Sequence, residues 1–380
     1  MIYFDNSATT KPYKEVLDSF NKVASDYFGN PSSLHGIGGR AEKLLSQARM
    51  QIAELLGAGQ KEIFFTSGGT EGNNLAVKGT AMMHKSRGRH LITTASEHSS
   101  VAEAFEQLKE LGFRVTYIPV DQDGRIRPED IEAALCHDTI LVSVIHVNNE
   151  VGTIQPIAEI GKMLKPYSKV LFHVDHVQGI AKVPLDFQKN EIDLCTISAH
   201  KFHGLKGTGV LYIREGVKLS PLFSGGSQEW NQRSGTENVP GIVSMAKALR
   251  VSLERYRSQL EQLGHVKSLL REGLESIEGI FVHTPLQGSA PHILNFSAPG
   301  LKAEVFVHSL EEKNIYVSTT SACSSKKKAV SRTLLAMGIP EEAAASSIRI
   351  SLSYDNTAEE AKAVLQAIEE TAKTLRKVMK

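Results

Sequence analysis

Cysteine is scarce in this sequence, with only Cys136, Cys195 and Cys323 among 380 residues. An odd number of widely spaced cysteines excludes a disulfide framework and a four-cysteine metal site. Cys136 and Cys195 lie in or beside apolar runs, so we predict that both are packed as small hydrophobic side chains. Cys323 lies in a polar segment just before Lys326–Lys328. We therefore predict an accessible thiol there, with its thiolate favoured by the nearby cations.

The chain also lacks an excess of charge and a long apolar run. Its 43 basic and 42 acidic residues give a formal net charge of +1, which offers little support for nucleic-acid binding. No apolar run approaches the roughly 20 residues of a membrane span. Residues 1–5 lack the basic segment and apolar stretch that open a secretory signal. We expect a cytoplasmic protein that binds neither nucleic acid nor membrane.

Alternating strand and helix patterns fill the first two thirds of the chain. Apolar, β-favouring runs predict strands at 62–66, 90–95, 114–120, 139–145, 170–174, 192–197 and 209–213, with helical patterns between most of them. Such alternation predicts an α/β fold, with a mostly parallel mixed sheet sandwiched by helices in a large domain. We place this domain at 14–254. Residues 1–13 and 255–380 are predicted to form a smaller α+β domain, joined through a long helix at 239–277.

Polar and reactive side chains follow several predicted strands. Lys201 lies after one strand, just before a glycine-rich turn, where its amine can form a Schiff base with a carbonyl cofactor. Asp175 ends another strand and could keep the ring nitrogen of pyridoxal phosphate protonated. Plainer interpretations remain, since a lone lysine is usually exposed and an aspartate after a strand often caps a helix.

Two loops complete the pattern of a cofactor site. Ser67–Gly72 joins a strand to a helix, and the free amides and positive dipole end at such a junction bind phosphate. A glycine-rich turn also occurs for plain chain reversal. The polar loop 223–238 has sixteen residues without a clear element, a length that favours a functional role.

Taken together, these motifs identify a resemblance. The chain resembles the cysteine desulfurases of the NifS and IscS type, within the class V aminotransferase group of fold-type I pyridoxal phosphate enzymes. The segments that carry the resemblance are Asp5–Thr10, Gly29–Ser33, Ser67–Glu71, Glu97–His98, His146–Glu150, Asp175 with Gln178, Ser198–Lys201, Arg233–Glu237, Ser321–Ser325 and Arg349.

The resemblance implies a role for each site residue. Catalytic roles fall to Lys201 as Schiff-base lysine and base for the α-proton, to His98 as a ring-stacking proton shuttle, and to Cys323. The residues implied in cofactor binding are Gly69, Thr70, His98, Asn149, Asp175, Gln178, Ser198, His200, Lys201 and Thr236. Asn149 and Arg349 would hold the substrate carboxylate, and Thr236 would reach the phosphate of the other subunit in a homodimer.

Each role has a plainer alternative when the residue is considered alone. His98 could be an ordinary histidine at a helix end, and Asn149 could simply shape a turn. Arg349 lies opposite two isoleucines of a predicted strand, where an unpaired arginine is usually a surface side chain. Thr236 could be a helix cap.

The implied reaction converts L-cysteine to L-alanine and leaves a persulfide on Cys323, in a loop at about 317–330. The sulfur would pass to an iron-sulfur scaffold or a tRNA-thiolation enzyme. Thr319, Thr320 and Lys326–Lys328 depart from the usual loop sequence, and the chain ends at Lys380. The choice between a scaffold and a tRNA-thiolation enzyme therefore stays open at this point.

Three other classes of function remain open at this stage. The same cofactor could serve a selenocysteine lyase or another class V aminotransferase, for which Cys323 is the discriminating residue. A metal hydrolase could use His173, Asp175 and His176, with His200 and His203, although we expect no metal because no further ligand spacing supports one. A sulfur carrier without catalysis would leave Lys201 unexplained.

Overall fold

The computed structural model describes residues 1–319 and 330–378. Its strands are β1 (Ile2–Tyr3), β2 (Ile63–Thr66), β3 (His90–Thr94), β4 (Arg114–Ile118), β5 (Thr139–Ile145), β6 (Leu171–Asp175), β7 (Leu194–Ser198), β8 (Gly209–Ile213), β9 (Phe281–Val282), β10 (Ile293–Ser297), β11 (Ile315–Tyr316), β12 (Ser318–Thr319) and β13 (Ser347–Ser351). Its α-helices are α1 (Lys14–Asp26), α2 (Gly36–Leu56), α3 (Gly69–His84), α4 (Ser99–Glu110), α5 (Pro128–Ala134), α6 (Ile157–Leu164), α7 (Val239–Ser276), α8 (Ala303–Glu311), α9 (Arg332–Ala336), α10 (Glu341–Ala345) and α11 (Ala358–Val378).

A seven-stranded sheet with the spatial order β2-β8-β7-β6-β5-β3-β4 forms the centre of the larger part. Strands β4, β3, β5, β6 and β7 pair in parallel, and β8 runs antiparallel to both its neighbours. Consecutive residues of β5 pack on opposite faces of the sheet: Leu141 belongs to one hydrophobic cluster and Val142 to another. Both faces of the sheet are therefore covered by helices, which explains the continuous apolar runs of its strands. The predicted fold class is confirmed.

A second, smaller sheet lies beyond α7. Its strands pair antiparallel in the order β12-β13-β10-β9, while β1 and β11 form a separate parallel pair. Helix α7 joins the two hydrophobic cores, because Met245 and Leu249 pack in the larger one and Leu263 and Leu270 in the smaller one. No helix among residues 1–319 and 330–378 is long and apolar enough to cross a membrane.

The structure differs from the sequence-based expectations in several local details. Helix α3 begins at Gly69, four residues before the predicted start, because glycine is a poor helix former and its presence masked the first turn. Helix α10 was not predicted, although Pro340 and the first-turn glutamates are helix-start signals. A short 3₁₀ helix, Gln228–Asn231, interrupts the loop that was expected to have no element.

The prediction that Cys136 is buried is wrong, whereas Cys195 is buried as expected. The apolar residues before Cys136 belong to α5, which ends at Ala134, so Cys136 lies beyond the packed face of that helix. Its sulfur atom contacts polar groups, His90 Nδ1 at 3.1 Å and Asp138 Oδ1 at 3.2 Å.

Candidate active site

One cavity of about 300 Å³ opens at the carboxyl ends of the central strands. Ligands of open parallel sheets collect at this edge. Ten of the twelve predicted site residues line the cavity: Gly69, Thr70, His98, Asn149, Asp175, Gln178, Ser198, His200, Lys201 and Arg349. The lining also contains Ser7, Ala8, Asn73, Ser100, Ile145 and Val177, to which the sequence analysis assigned no role.

Lys201 ends a 3₁₀ helix, Ala199–Lys201, that follows β7 directly. Its Nζ donates to the carbonyl oxygen of Ser7 and, at 2.9 Å, to that of Ala8. The buried Lys182 donates from its own Nζ to the carbonyl oxygen of Lys201 at 2.8 Å. The reactive amine is thus hydrogen-bonded to the N-terminal segment, and Lys182 holds the backbone that carries it. Sequence reasoning missed Lys182, which lies in a turn of otherwise apolar residues with no motif around it.

Asp175 is the last residue of β6 and is only 3 % exposed. Its Oδ2 accepts a hydrogen bond from Asn73 Nδ2 at 2.7 Å, and its Oδ1 accepts the backbone N–H of Val177 at 3.0 Å. The carboxyl group therefore shapes the following turn, which does not begin the helix that the plainer interpretation expected, and it also lines the cavity. A buried carboxylate in this place can hold a proton on an aromatic ring nitrogen.

His98 is the N-cap residue of α4, and its ring also lines the cavity. Nδ1 accepts the backbone N–H of Ser100 at 3.2 Å and lies 2.8 Å from Ser100 Oγ. Burial lowers the pKa of His98, Asp175 opposes this, and Lys201 and Arg349 lower it further. These surroundings favour the neutral imidazole. His98 is a helix-end histidine and a cavity residue at once.

The anion-binding end of the cavity lies at the start of α3. The N-cap residue Gly68 provides no side-chain cap, so the first amides of the helix are available to a ligand. A Cβ atom added to Gly69 would lie 3.0 Å from Val177 Cγ2 and 3.5 Å from Ser198 Cβ, so glycine allows the close approach seen here. Thr70, Ser198 and Gly69 also line an adjoining cavity of about 430 Å³, together with His200 and Lys206.

Arg349 is 4 % exposed in β13, which excludes the surface interpretation. Its Nη2 pairs with Asp5 Oδ1 at 3.0 Å, and its Nη1 donates to the carbonyl oxygen of Asn149 at 2.8 Å. Its buried Nε has no hydrogen-bond partner within the described part of the chain. The residues on either side, Ile348 and Ile350, pack in the smaller core. Strand alternation therefore aims the guanidinium at the cavity.

Gln178 is buried and donates from Nε2 to the carbonyl oxygen of Ser7 at 2.9 Å. Thr236 is exposed and lies outside the main cavity, in a small pocket with Ser67 and Arg233. Cys323 and most of the predicted loop at 317–330 lie outside the described residues.

The side chains that suggested a metal site have other partners. His173 uses both ring nitrogens, Nδ1 with Ser143 Oγ at 2.8 Å and Nε2 with Thr196 Oγ1 at 3.1 Å. His176 lies 2.8 Å from His146, measured between the two Nδ1 atoms. Within the ranges that the structure describes, no group of three or more His, Cys, Asp or Glu side chains is placed to hold a metal ion.

The residues that are present fit pyridoxal phosphate. Asp175 is buried where an acid can meet a ring nitrogen, and Gly69 leaves room for a ligand against the start of α3. The amine of Lys201 lines the same cavity as both. Pyridoxal phosphate has a protonated ring nitrogen that suits Asp175, a phosphate that suits the start of α3, and an aldehyde that suits the amine of Lys201.

Comparison with known proteins agrees with this fit. The family model described as aminotransferase class-V matches residues 2–364. A NifS/IcsS protein homolog from Lactobacillus delbrueckii subsp. bulgaricus is 48 % identical, over 97 % of each chain. A cysteine desulfurase IscS from Dictyoglomus turgidum is 41 % identical, over 99 % of this chain and 96 % of its own. The solved structure of a NifS-like protein is similar at a TM-score of 0.93 with 40 % identity, over 98 % of this chain and all of that one.

Proposed function

The chain belongs to the aminotransferase class-V family, and from that premise we propose how this pyridoxal phosphate-dependent cysteine desulfurase acts. It takes L-cysteine, releases L-alanine and keeps the sulfur atom as a persulfide on Cys323. The observation that carries the proposal is the meeting of Lys201, Asp175 and Arg349 in one cavity. These three side chains supply an amine, a buried acid and a carboxylate-binding fork.

When bound, the cofactor supplies an electron sink for the bonds to the substrate's α-carbon. Lys201 Nζ would hold the aldehyde end of the cofactor and, with substrate bound, would take the α-proton. Asp175 would hold the proton on the ring nitrogen and Gln178 would donate to the ring hydroxyl. The backbone amides at the start of α3 and the residues Gly69, Thr70, Ser198 and His200 would hold the phosphate.

The substrate is oriented by Arg349, whose fork matches a carboxylate, with Asn149 beside it. The Cys323 thiolate then attacks the substrate sulfur. A sulfur–sulfur bond forms, the carbon–sulfur bond breaks, and its electron pair stays with the carbon fragment. That fragment takes up one proton at the carbon that lost the sulfur, regains the α-proton from Lys201, and leaves as alanine.

Intact-mass analysis after incubation with L-cysteine tests this proposal. We expect added sulfur that maps to the Cys323 peptide, alanine in solution, and neither in Cys323→Ser, which keeps the colour of the bound cofactor. Cys136→Ser is the matched control, because it removes an exposed thiol elsewhere and should retain full activity. Normal sulfide release by Cys323→Ser would contradict the assigned role. A coloured protein that accepts only selenocysteine would make it a selenocysteine lyase, and one that only exchanges amino groups would make it another aminotransferase.

We also propose a homodimer in which Thr236 completes the phosphate site of the other subunit. This is supported by its exposed position outside the cavity of its own chain. The persulfide then passes to an acceptor protein in the cytoplasm, an iron-sulfur scaffold or a tRNA-thiolation enzyme. Mixing the persulfide-loaded enzyme with each class of acceptor, and following the sulfur by mass, distinguishes the two.

The division at 14–254 and at 1–13 with 255–380 remains our proposal for the domains. It is supported by two separate hydrophobic clusters. One runs from Tyr13, one residue before the proposed boundary, to Val251, and the other is built from Phe4 and residues from Leu263 onward. Limited proteolysis that leaves a stable fragment ending within α7 near Arg255 would agree with it.

A further inference from the structure

The N-cap geometry of α4 restricts where the His98 ring can carry a proton. His98 Nδ1 accepts the backbone N–H of Ser100 at 3.2 Å. A backbone N–H can only donate, so Nδ1 must present its lone pair. In the neutral ring the single proton is then on Nε2. No protein group within the described residues bonds Nε2, which leaves it for the cavity that His98 lines.

The hydroxyl of Ser100 reinforces this tautomer. Asn73 Nδ2 donates to Ser100 Oγ at 2.8 Å and to Asp175 Oδ2 at 2.7 Å. A carboxylate accepts and does not donate, so it fixes which end of the Asn73 amide carries the donors. Because Ser100 Oγ accepts from Asn73, its own proton is free to point at His98 Nδ1, 2.8 Å away. Two donors therefore converge on one ring nitrogen.

A proton on His98 Nδ1 would face two other donors, the backbone N–H and the hydroxyl of Ser100, and all three would lack an acceptor. Burial lowers the pKa of His98; among the surrounding charges Asp175 favours an imidazolium, and Lys201 and Arg349 disfavour it. His200 faces His98 as well, and burial, with Lys201, lowers the pKa of His200 to about 4, so it adds no positive charge near neutral pH.

We propose that Ser100 and Asn73 are positioning residues that hold His98 as the neutral Nε2–H tautomer. His98 then acts in the cavity as a fixed hydrogen-bond donor to bound cofactor or substrate, rather than as a shuttle that passes through an imidazolium. The proposal deepens the cysteine desulfurase function and rests on it for the identity of the ligand. It adds Asn73 and Ser100 to the site, as the two links of a series of hydrogen bonds that runs from Asp175 to His98.

Nitrogen NMR of protein labelled in the histidine rings, with His98→Gln used for assignment, tests the tautomer directly. We expect the His98 signals of the cofactor-loaded and the cofactor-free protein to show Nε2 protonated and Nδ1 unprotonated at pH 7 and above. An Nδ1–H tautomer, or an imidazolium at pH 7, would overturn the proposal. This measurement needs no turnover, so a protein that fails to desulfurate cysteine yet shows the Nε2–H ring refutes only the function.

Variants give a second, independent test. Ser100→Ala removes one of the two donors but keeps the backbone cap, so the chain should fold normally. We expect the pKa of His98 to rise by about one unit and kcat to fall roughly tenfold with little change in KM. Ser100→Thr keeps the hydroxyl and should restore both values. Ser99→Ala changes the exposed neighbouring hydroxyl and is the matched control. If Ser100→Ala behaves like Ser99→Ala in both measurements, the positioning role is wrong.

Discussion

Arg349 and Asp5 are separated by 344 positions in the chain, yet they form an ion pair of 3.0 Å at the wall of the cavity. Burial raises the pKa of Asp5, and the guanidinium of Arg349 opposes that rise. Removing one partner of a buried pair leaves an uncompensated charge, whereas a change that retains the charge tests geometry alone.

Arg349→Lys therefore isolates the forked geometry. Lysine keeps the charge beside Asp5 but cannot grip a carboxylate with two parallel N–H groups. We expect the KM for L-cysteine to rise roughly 10- to 100-fold, with the visible absorbance of the bound cofactor unchanged. Steady-state kinetics checks this, with Arg250→Lys, which pairs with Glu254 on the outer face of α7, as control. A KM within twofold of the wild-type value would remove Arg349 from the substrate site.

From the burial of Glu97 we predict that the free energy of unfolding falls as pH rises. Its Oε1 accepts from Thr94 Oγ1 and from the backbone N–H of Ile145, both at 2.8 Å, while Oε2 is buried with no partner among the described groups. Burial raises the pKa of Glu97 to about 8 from 4.5, against those hydrogen bonds, and Asp175 adds to the rise. Between these two pH values the unfolded chain has lost a proton that the folded chain keeps. The free energy of unfolding therefore falls across this window.

Glu97→Gln should abolish that fall, because glutamine does not titrate. We expect the stability of the variant relative to wild type to increase from pH 4.5 to 8 by on the order of 4 kcal/mol. Urea unfolding at four pH values measures this difference. The matched control is Glu103→Gln, at an exposed position on α4. Parallel curves for wild type and Glu97→Gln would show that Glu97 is ionised in the fold.

From Lys182 we predict that the free energy of unfolding rises with pH in a higher pH range. Burial lowers the pKa of Lys182 to about 7 from 10.5, and Lys201 lowers it further. Between pH 7 and 10.5 the unfolded chain holds a proton that the folded chain has released, so stability rises with pH. Lys182→Met removes this gain, and we expect the variant to lose about 3 kcal/mol relative to wild type between pH 7 and 9.

Two comparisons make the Lys182 measurement specific. Lys267 is another buried lysine whose pKa burial lowers to about 7, so Lys267→Met should show a similar loss and must be measured separately. Lys169→Met, at an exposed position, should follow the wild-type curve. If Lys182→Met also follows that curve, Lys182 carries no buried neutral amine.

Mixed dimers test whether Thr236 serves the other subunit. A dimer of one Lys201→Ala subunit and one Thr236→Val subunit has one fully intact site if Thr236 crosses the interface, and none if it acts within its own chain. We therefore expect the mixed dimer to bind pyridoxal phosphate at one site with wild-type affinity, against a roughly tenfold weaker affinity in the Thr236→Val homodimer. Cofactor titration of tagged, purified dimers measures this. Weakened binding at every site of the mixed dimer would contradict the shared-site arrangement.

The residues that could be inferred from the sequence are those with a local signature. Lys201, Asp175 and Gly69 each stand at the end of a strand pattern, and a strand end followed by a polar or glycine-rich turn is visible within about ten residues. Ser100 and Lys182 have no such signature. One is a helix serine and the other a turn lysine, and their roles depend on partners from other elements.

Local patterns, together with the resemblance they carried, were enough to predict the sheet, the edge at which the cavity lies and most of the side chains that line it. Periodicity and turn chemistry act between residues that are close in the sequence. The contacts that tune the site needed the folded chain. Ser7 meets Lys201 across 194 positions and Asn73 meets Asp175 across 102. Such pairs follow from how strands and helices pack in space, and no spacing within the sequence encodes which donor finds which acceptor.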